Sequence, residues 1–123
     1  MAKDEARHDF SLRSYAETID TYRTQGYAAT SFEQYLAAPQ ERHLILRHDI
    51  DNSLELAIRV ARIEAEHGAS STYFVRVHAL GYNALSLPSL LIYQELEDLG
   101  HEVQLHLEGG LRECVGGNDA DWA

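Results

Sequence analysis

The alternation of apolar and polar positions predicts two helices in the first third of the chain. Ser11 is a candidate N-cap for a helix that ends before Gly26, and Ser31 begins a second, shorter helix that ends before Pro39. Three residues recur at helical spacing in the first of these helices: Tyr15, Ile19 and Tyr22.

The pattern after Pro39 indicates strands that alternate with helices. Short runs of apolar, aromatic or β-branched residues predict strands at 44–46, 72–77 and 103–107. Strands that alternate with helices are typical of a parallel sheet with right-handed crossovers. We therefore predict an α/β fold in which two helices precede three parallel strands.

Two amphipathic segments between these strands are predicted to be the crossover helices. Residues 52–55, Asn-Ser-Leu-Glu, resemble a capping box, and Gly68 ends the helix that follows. Pro88 suits the first turn of the other helix, which ends at Gly100. The expected inward residues are Leu56, Val60 and Ile63 with Ala57 and Ala61 in the first helix, and Ile92, Leu96 and Leu99 in the second.

This order divides the chain into three parts. Residues 1–40 are expected to form a helical lead-in, and residues 41–110 the β-α-β-α-β portion. Residues 111–123 form a polar tail that we expect to be flexible.

Length and charge narrow the classes of function. A chain of 123 residues suggests one domain, and its net charge of −10 gives little support to a nucleic-acid partner, which needs a basic face. Cys114 is the only cysteine, so no internal disulfide forms. The N-terminus is polar and no apolar run is long enough to span a membrane, so we expect a cytoplasmic protein without a membrane partner.

Polar residues gather where the predicted strands end. Function in parallel α/β folds is concentrated at the carboxyl ends of the strands. His101 lies at the opposite end of the third strand and is expected to be structural. The residues at the three carboxyl ends are His48, Asp49 and Asp51, then Arg76 and His78, then His106 and Glu108.

The Asp49 and Asp51 pair suggests a metal. Carboxylates two residues apart on an extended segment share a face and repel each other unless a cation joins them or one is protonated. His106 alternates away from its apolar neighbours, and Asp with His suits zinc or a similar divalent ion. Other roles stay open: Asp51 as a helix cap, His106 as a hydrogen-bonded core residue, and Arg76 as an ion-pair partner.

Four stretches resemble the polysaccharide deacetylase superfamily, which is also called the NodB-homology or carbohydrate esterase family 4 group. The resemblance is to the subgroup whose first motif is Arg-His-Asp-x-Asp. The stretches are 46–51, which carries that motif, 61–68, 71–75 and 99–106. The resemblance implies the N-terminal part of a distorted, TIM-like (β/α) barrel, truncated to three strands.

The resemblance also implies a function and a site. The function is metal-dependent hydrolysis of a non-peptide C–N bond, as in removal of an acetyl group from an amino sugar. Asp49 would be the general base, while Asp51 and His106 would bind a divalent metal, with zinc as the expected ion. Residues with possible accessory roles are His48, Arg76, His78 and Glu108. Whether the chain is an enzyme depends on the missing half of the barrel.

Two other functions stay open at this point. One is a non-catalytic α/β module that keeps a partial metal site, and the other is a phosphoesterase-type metallohydrolase. For the enzyme, the expected partner is a carbohydrate or another small amide. Because a half-barrel leaves strand edges unpaired, we also expect a homo-oligomer that forms through the exposed sheet edges.

Overall fold

A computed structural model describes residues 11–106 as alternating helices and parallel strands. The predicted α/β class is confirmed. No closed barrel forms within these residues, because the strands fall into two small sheets. In chain order the elements are α1 (Leu12–Thr24), β1 (Ala28–Thr30), α2 (Phe32–Ala37), β2 (His43–Ile45), β3 (Arg47–Ile50), α3 (Leu54–Glu66), β4 (Thr72–Arg76), α4 (Leu87–Asp98) and β5 (Glu102–His106).

The larger sheet has the order β3-β4-β5, and both of its strand pairs are parallel. Each crossover between its strands contains one helix, α3 or α4, as the sequence predicts. The register places Asp49 beside Phe74 and Gln104, and it places Arg76 beside His106. Because neighbouring residues in register point to the same face, polar side chains from three strands share one side of the sheet.

The smaller sheet joins β1 to β2 and shows where sequence reasoning was incomplete. The sequence predicts one strand at 44–46, but the structure has β2 and then β3, which continues through Ile50. His48 and Asp49 therefore lie within a strand and not beyond its end. The strand β1 was missed because Ala28, Ala29 and Thr30 make a run too short to show a strand pattern.

Serine caps set the start of each helix. Ser11, Ser31, Ser53 and Ser86 each accept a hydrogen bond from the backbone N–H three residues later. This bond satisfies one of the N–H groups that a helix start leaves unpaired. The predicted caps Ser11 and Ser31 are confirmed, whereas α3 is capped by Ser53 and not by Asn52, the first residue of the predicted capping box. Pro88 lies in the first turn of α4 as expected.

The main core lies between the sheet and helices α3 and α4. Its buried residues are Ile50, Leu54, Ala57, Ile58, Ala61, Tyr73, Val75, Ala84 and Leu96. Leu96 is fully buried, and Ile92 and Leu99 pack against the core, which confirms the predicted inner face of α4. A second cluster joins Ile19 of α1 to Ala29 and Ala69.

The predicted inner face of α3 is wrong in part. Ala57 and Ala61 are buried, but Leu56 is 51% exposed, and Ile58 and Glu64 occupy core positions instead. Apolar residues of α3 cover more than one side of the helix, so their spacing alone does not show which side packs against the sheet. Glu64, a charged residue that the hydrophobic pattern assigns to solvent, is fully buried on the face that packs.

The predicted division into 1–40, 41–110 and 111–123 stays a prediction, and the third part lies outside the described residues. Among residues 11–106, no helix is long and apolar enough to cross a membrane.

Truncating the buried Leu96 tests the core assignment. We expect Leu96→Ala to lower the free energy of unfolding by about 2–5 kcal/mol, because the side chain is lost from a packed site. Leu91→Ala on the same helix is the control, since Leu91 is 62% exposed and its loss is expected to change stability by about 0.5 kcal/mol or less. Urea unfolding of both variants measures the difference, and equal losses would contradict the assignment.

Candidate functional site

The two faces of the β3-β4-β5 sheet carry different chemistry. His48, Ile50 and Tyr73 point toward α3, and this side is called the α3 face. On the opposite side Phe74 meets Phe32 of α2 edge to face, so that side is called the α2 face. Alternation along the strands puts Arg47, Asp49, Phe74, Arg76 and His106 on the α2 face.

Asp49 lies at the centre of the α2 face between two basic groups. Arg47 Nε donates to Asp49 Oδ1 at 3.1 Å, and the guanidinium also stacks 4.3 Å above the Phe74 ring. Asp49 Oδ2 lies 3.9 Å from His106 Nδ1, which is too far for a hydrogen bond. Arg47 therefore fixes one carboxylate oxygen and leaves the other directed toward His106.

Asp51 is placed near Arg76, at the end of the neighbouring strand. Arg76 Nη1 lies 3.6 Å from Asp51 Oδ1. A tyrosine joins the same two strands, since the Tyr82 hydroxyl donates to the Ile50 carbonyl at 2.7 Å and accepts from the Arg76 amide at 3.1 Å. Burial raises the pKa of Tyr82, so its hydroxyl stays protonated and keeps both bonds.

The structure brings together four of the predicted site residues and separates the others. Asp49, Asp51, Arg76 and His106 line the α2 face within ion-pair distances of one another or of Arg47. His78 is exposed in the turn after β4. Glu108 lies outside the described residues. His48 points to the opposite face, toward α3.

A buried network around Glu64 was missed by the sequence analysis. Glu64 Oε2 accepts hydrogen bonds from the Tyr15 hydroxyl at 2.6 Å and from His48 Nε2 at 2.9 Å. The Ser71 hydroxyl also donates to Oε2, and the Tyr73 hydroxyl donates to Oε1. The only signal that could have found it is the position of Glu64, one helical turn after the buried Ala61.

This network holds Glu64 as a carboxylate. Burial raises the pKa of Glu64, but the bond to His48, the charge of His48 and the bonds from Ser71 and Tyr15 outweigh burial and lower the pKa below its ordinary value. Burial first, and then the charge of Glu64, raises the pKa of Tyr15 and Tyr73, so both hydroxyls remain donors.

Another buried histidine confirms a prediction. His101 Nδ1 accepts from the Ser71 amide at 3.0 Å, and Nε2 donates to the Ala61 carbonyl at 2.9 Å. Both ring nitrogens are used within the core, so His101 is structural, as expected from its place at the amino end of β5.

A pocket of about 310 Å³ opens between β3 and α3. Its apolar walls come from Ile50, Leu56, Ala57 and Val60, of which Leu56 is 51% exposed. The remaining lining residues are His48, Asp49, Asp51, Asn52, Ser53 and Tyr73.

The described residues do not fit the predicted metal site. Within 11–106, no group of three or more His, Cys, Asp or Glu side chains is arranged to hold a metal ion. Asp49 and Asp51 face separate arginines, so the repulsion that suggested a cation is relieved by Arg47 and Arg76. The prediction that these residues form a metal-binding group is therefore wrong. The identity of the expected cofactor, zinc, is a separate prediction from the sequence that nothing in the structure tests.

Comparison with known families matches residues 3–43 to the family described as polyglycine hydrolase-like, structural repeat. The match covers a third of the chain and ends at His43, before the first predicted site residue. No curated protein and no solved structure matches the chain.

These comparisons overturn the predicted family and function. The chain matches no deacetylase family, so the resemblance to polysaccharide deacetylases is wrong, and so are the predicted hydrolysis of C–N bonds and the role in carbohydrate metabolism. The misleading motif is five residues long. In the structure Arg47 pairs with Asp49 and His48 joins the Glu64 network, so both have roles that need no such chemistry.

Replacing Glu64 tests the buried network. At pH 7 we expect Glu64→Gln to lower the free energy of unfolding by about 3 kcal/mol, because the amide leaves His48 without its charged partner. Since the folded-state pKa of Glu64 is lowered, the carboxylate stabilises the fold above its ordinary pKa of 4.5, and that contribution is lost as the pH falls below this value.

Urea unfolding of both proteins across the range from neutral to acid pH measures this effect. The stability advantage of the wild type over Glu64→Gln is expected to shrink below about pH 4.5. Glu66→Gln is the control, because Glu66 is exposed on the same helix. An advantage that stays constant with pH would show that Glu64 is not ionised in the fold.

Proposed function

We propose that the α2 face binds a small, neutral, polar molecule, and that Asp49 accepts a hydrogen bond from it. The observation that carries this proposal is the gap between Asp49 and His106. His106 Nδ1 is buried and has no hydrogen-bond partner among the described residues, while Asp49 Oδ2 lies 3.9 Å away. A ligand hydroxyl or amide between them would satisfy both atoms.

The charges on this face favour a neutral ligand. Arg47 offsets the charge of Asp49, and Arg76 offsets that of Asp51. Such a surface offers both hydrogen-bond donors and hydrogen-bond acceptors, and it carries little net charge. A carbohydrate or a small amide matches that mixture. In this proposal Asp49 accepts the hydrogen bond of the ligand, and Asp51, Arg76 and His106 position the ligand.

The finer architecture that we propose is the first part of a distorted (β/α) barrel. Three features support it: consecutive strands are neighbours in the sheet, all of them are parallel, and both crossover helices lie on the α3 face. A barrel grows by adding strands in this order, and its ligands bind at the carboxyl ends of the strands.

A second candidate function is a non-catalytic packing module. The match of residues 3–43 to a structural repeat favours it, because repeats of this kind bury their surfaces against neighbouring units. On this view the polar residues of the α2 face only stabilise the sheet edge. The two candidates differ in whether the α2 face binds a ligand.

Ligand titration tests the first candidate. We expect glucose or acetamide to give saturation-transfer NMR signals with the wild-type chain and to shift the His106 imidazole resonances. Asp49→Asn is expected to weaken this binding about tenfold, because one charge-assisted hydrogen bond is lost. Glu97→Gln, an exposed position on α4, is the charge-matched control. Absence of binding by either probe would favour the packing module.

The exposed strand edges generate a prediction about assembly. Within the described residues β3 and β5 each pair with β4 alone, so each has an unpaired edge. We propose that the chain forms a homo-oligomer through these edges. Sedimentation velocity is expected to show a species heavier than one chain, and Val103→Pro, which removes an edge N–H in β5, is expected to shift it toward monomer. A monomer at all concentrations would contradict the proposal.

A further inference from the structure

The pocket between β3 and α3 has aromatic side chains at its floor. His48 and Tyr73 line it together, and their rings lie 4.9 Å apart at 31°. Neither ring is free to turn away, because each is bonded to the buried Glu64. Tyr73 is 1% exposed, so the part of the floor that a ligand can reach is mainly the fixed imidazole of His48, and a flat ligand loses little entropy by packing against such a surface.

The hydrogen bonds of His48 determine which polar group the pocket offers. An ionised carboxylate only accepts hydrogen bonds, so the bond between His48 Nε2 and Glu64 requires the proton on Nε2. When the ring carries only this proton, Nδ1 is an acceptor, so the site exists in the uncharged form of His48 and not in the charged form that pairs with ionised Glu64. Within residues 11–106, the recorded bonds of this ring all go through Nε2, to Glu64 and to the Tyr15 hydroxyl at 3.2 Å.

The side chains that form the walls of the pocket indicate the apolar part of the ligand. Ile50, Ala57 and Val60 are apolar, and Leu56 keeps half of its surface exposed on the same side of α3. A cavity of about 310 Å³ is large enough for one aromatic ring with a small substituent.

We propose that this pocket is a binding site for a small phenol. Its ring would lie between the His48 and Tyr73 floor and the Leu56 and Val60 wall, and its hydroxyl would donate a hydrogen bond to His48 Nδ1. Glu64 is the positioning residue, since it fixes the tautomer and orientation of His48. The acceptor in this site is His48 and not Asp49, although Asp49 and Asp51 also line the pocket.

Titration of the wild-type chain with 4-methylphenol in alkaline buffer tests the proposal, because only an uncharged imidazole offers Nδ1 as an acceptor. We expect saturable binding and a shift of the His48 Nδ1 resonance, with the surface residue His67 as the reference. The matched probe 4-methylanisole has the same ring but no hydroxyl proton, and it is expected to bind about tenfold more weakly, which corresponds to one hydrogen bond. Equal binding of the two probes, or no binding of 4-methylphenol, would overturn the proposal.

A pair of variants locates the bound ring. Val60→Phe fills the cavity from its α3 wall and is expected to weaken 4-methylphenol binding at least about tenfold. Arg59→Phe adds the same side chain at the neighbouring exposed position, outside the lining residues, and is expected to bind as the wild type does. If Val60→Phe folds and binds as tightly as Arg59→Phe, the phenol does not occupy this pocket.

Discussion

The buried carboxylate of Glu64 is the constraint on which most of the described structure depends. An ion in an apolar core is costly unless its oxygens are fully hydrogen-bonded. Glu64 meets that condition with donors from three other parts of the chain: Tyr15 of α1, His48 of β3, and Ser71 and Tyr73 at the start of β4. Any arrangement of these elements that moves one donor away leaves a charge partly unpaired. The network therefore fixes how α1, α3 and the sheet pack together, and it does so more strictly than apolar contacts alone would.

The same network organises the two faces of the sheet. Once His48 is held against α3, the alternation of β3 directs Arg47 and Asp49 to the α2 face. Orientation of the polar residues there follows from an interaction on the other side of the strand. Tyr82 adds a second connection, since its hydroxyl joins the ends of β3 and β4 next to Asp51 and Arg76. Two sets of hydrogen bonds therefore hold the candidate site in place: the Glu64 network on the opposite face of β3, and the bonds of Tyr82 beside Asp51 and Arg76.

Much of the fold could be predicted from sequence because local signals agree there. Serine caps, Pro88 and the apolar spacing of α4 all pointed to the same elements. The strand β1 and the inner face of α3 were missed or partly wrong, because β1 is three residues long and because a charged residue holds a core position. The site was predicted only as a list of residues at strand ends. The pairing of Asp49 with Arg47 and of Asp51 with Arg76 depends on strand register and on side-chain direction. The spacing of residues within the motif determines neither.

The position of Tyr15 has a consequence for how this chain can have been assembled. Tyr15 lies within the segment that matches a structural repeat, whereas its acceptor Glu64 lies outside that segment. If such a repeat were exchanged between proteins as a unit, it would bring a tyrosine whose hydroxyl has no partner, and it would leave behind a carboxylate with one donor fewer. The boundary at His43 is therefore a boundary of sequence similarity and not of physical independence. The first third of this chain and the α3 helix are therefore joined by hydrogen bonding, and separating them leaves Glu64 with one donor fewer.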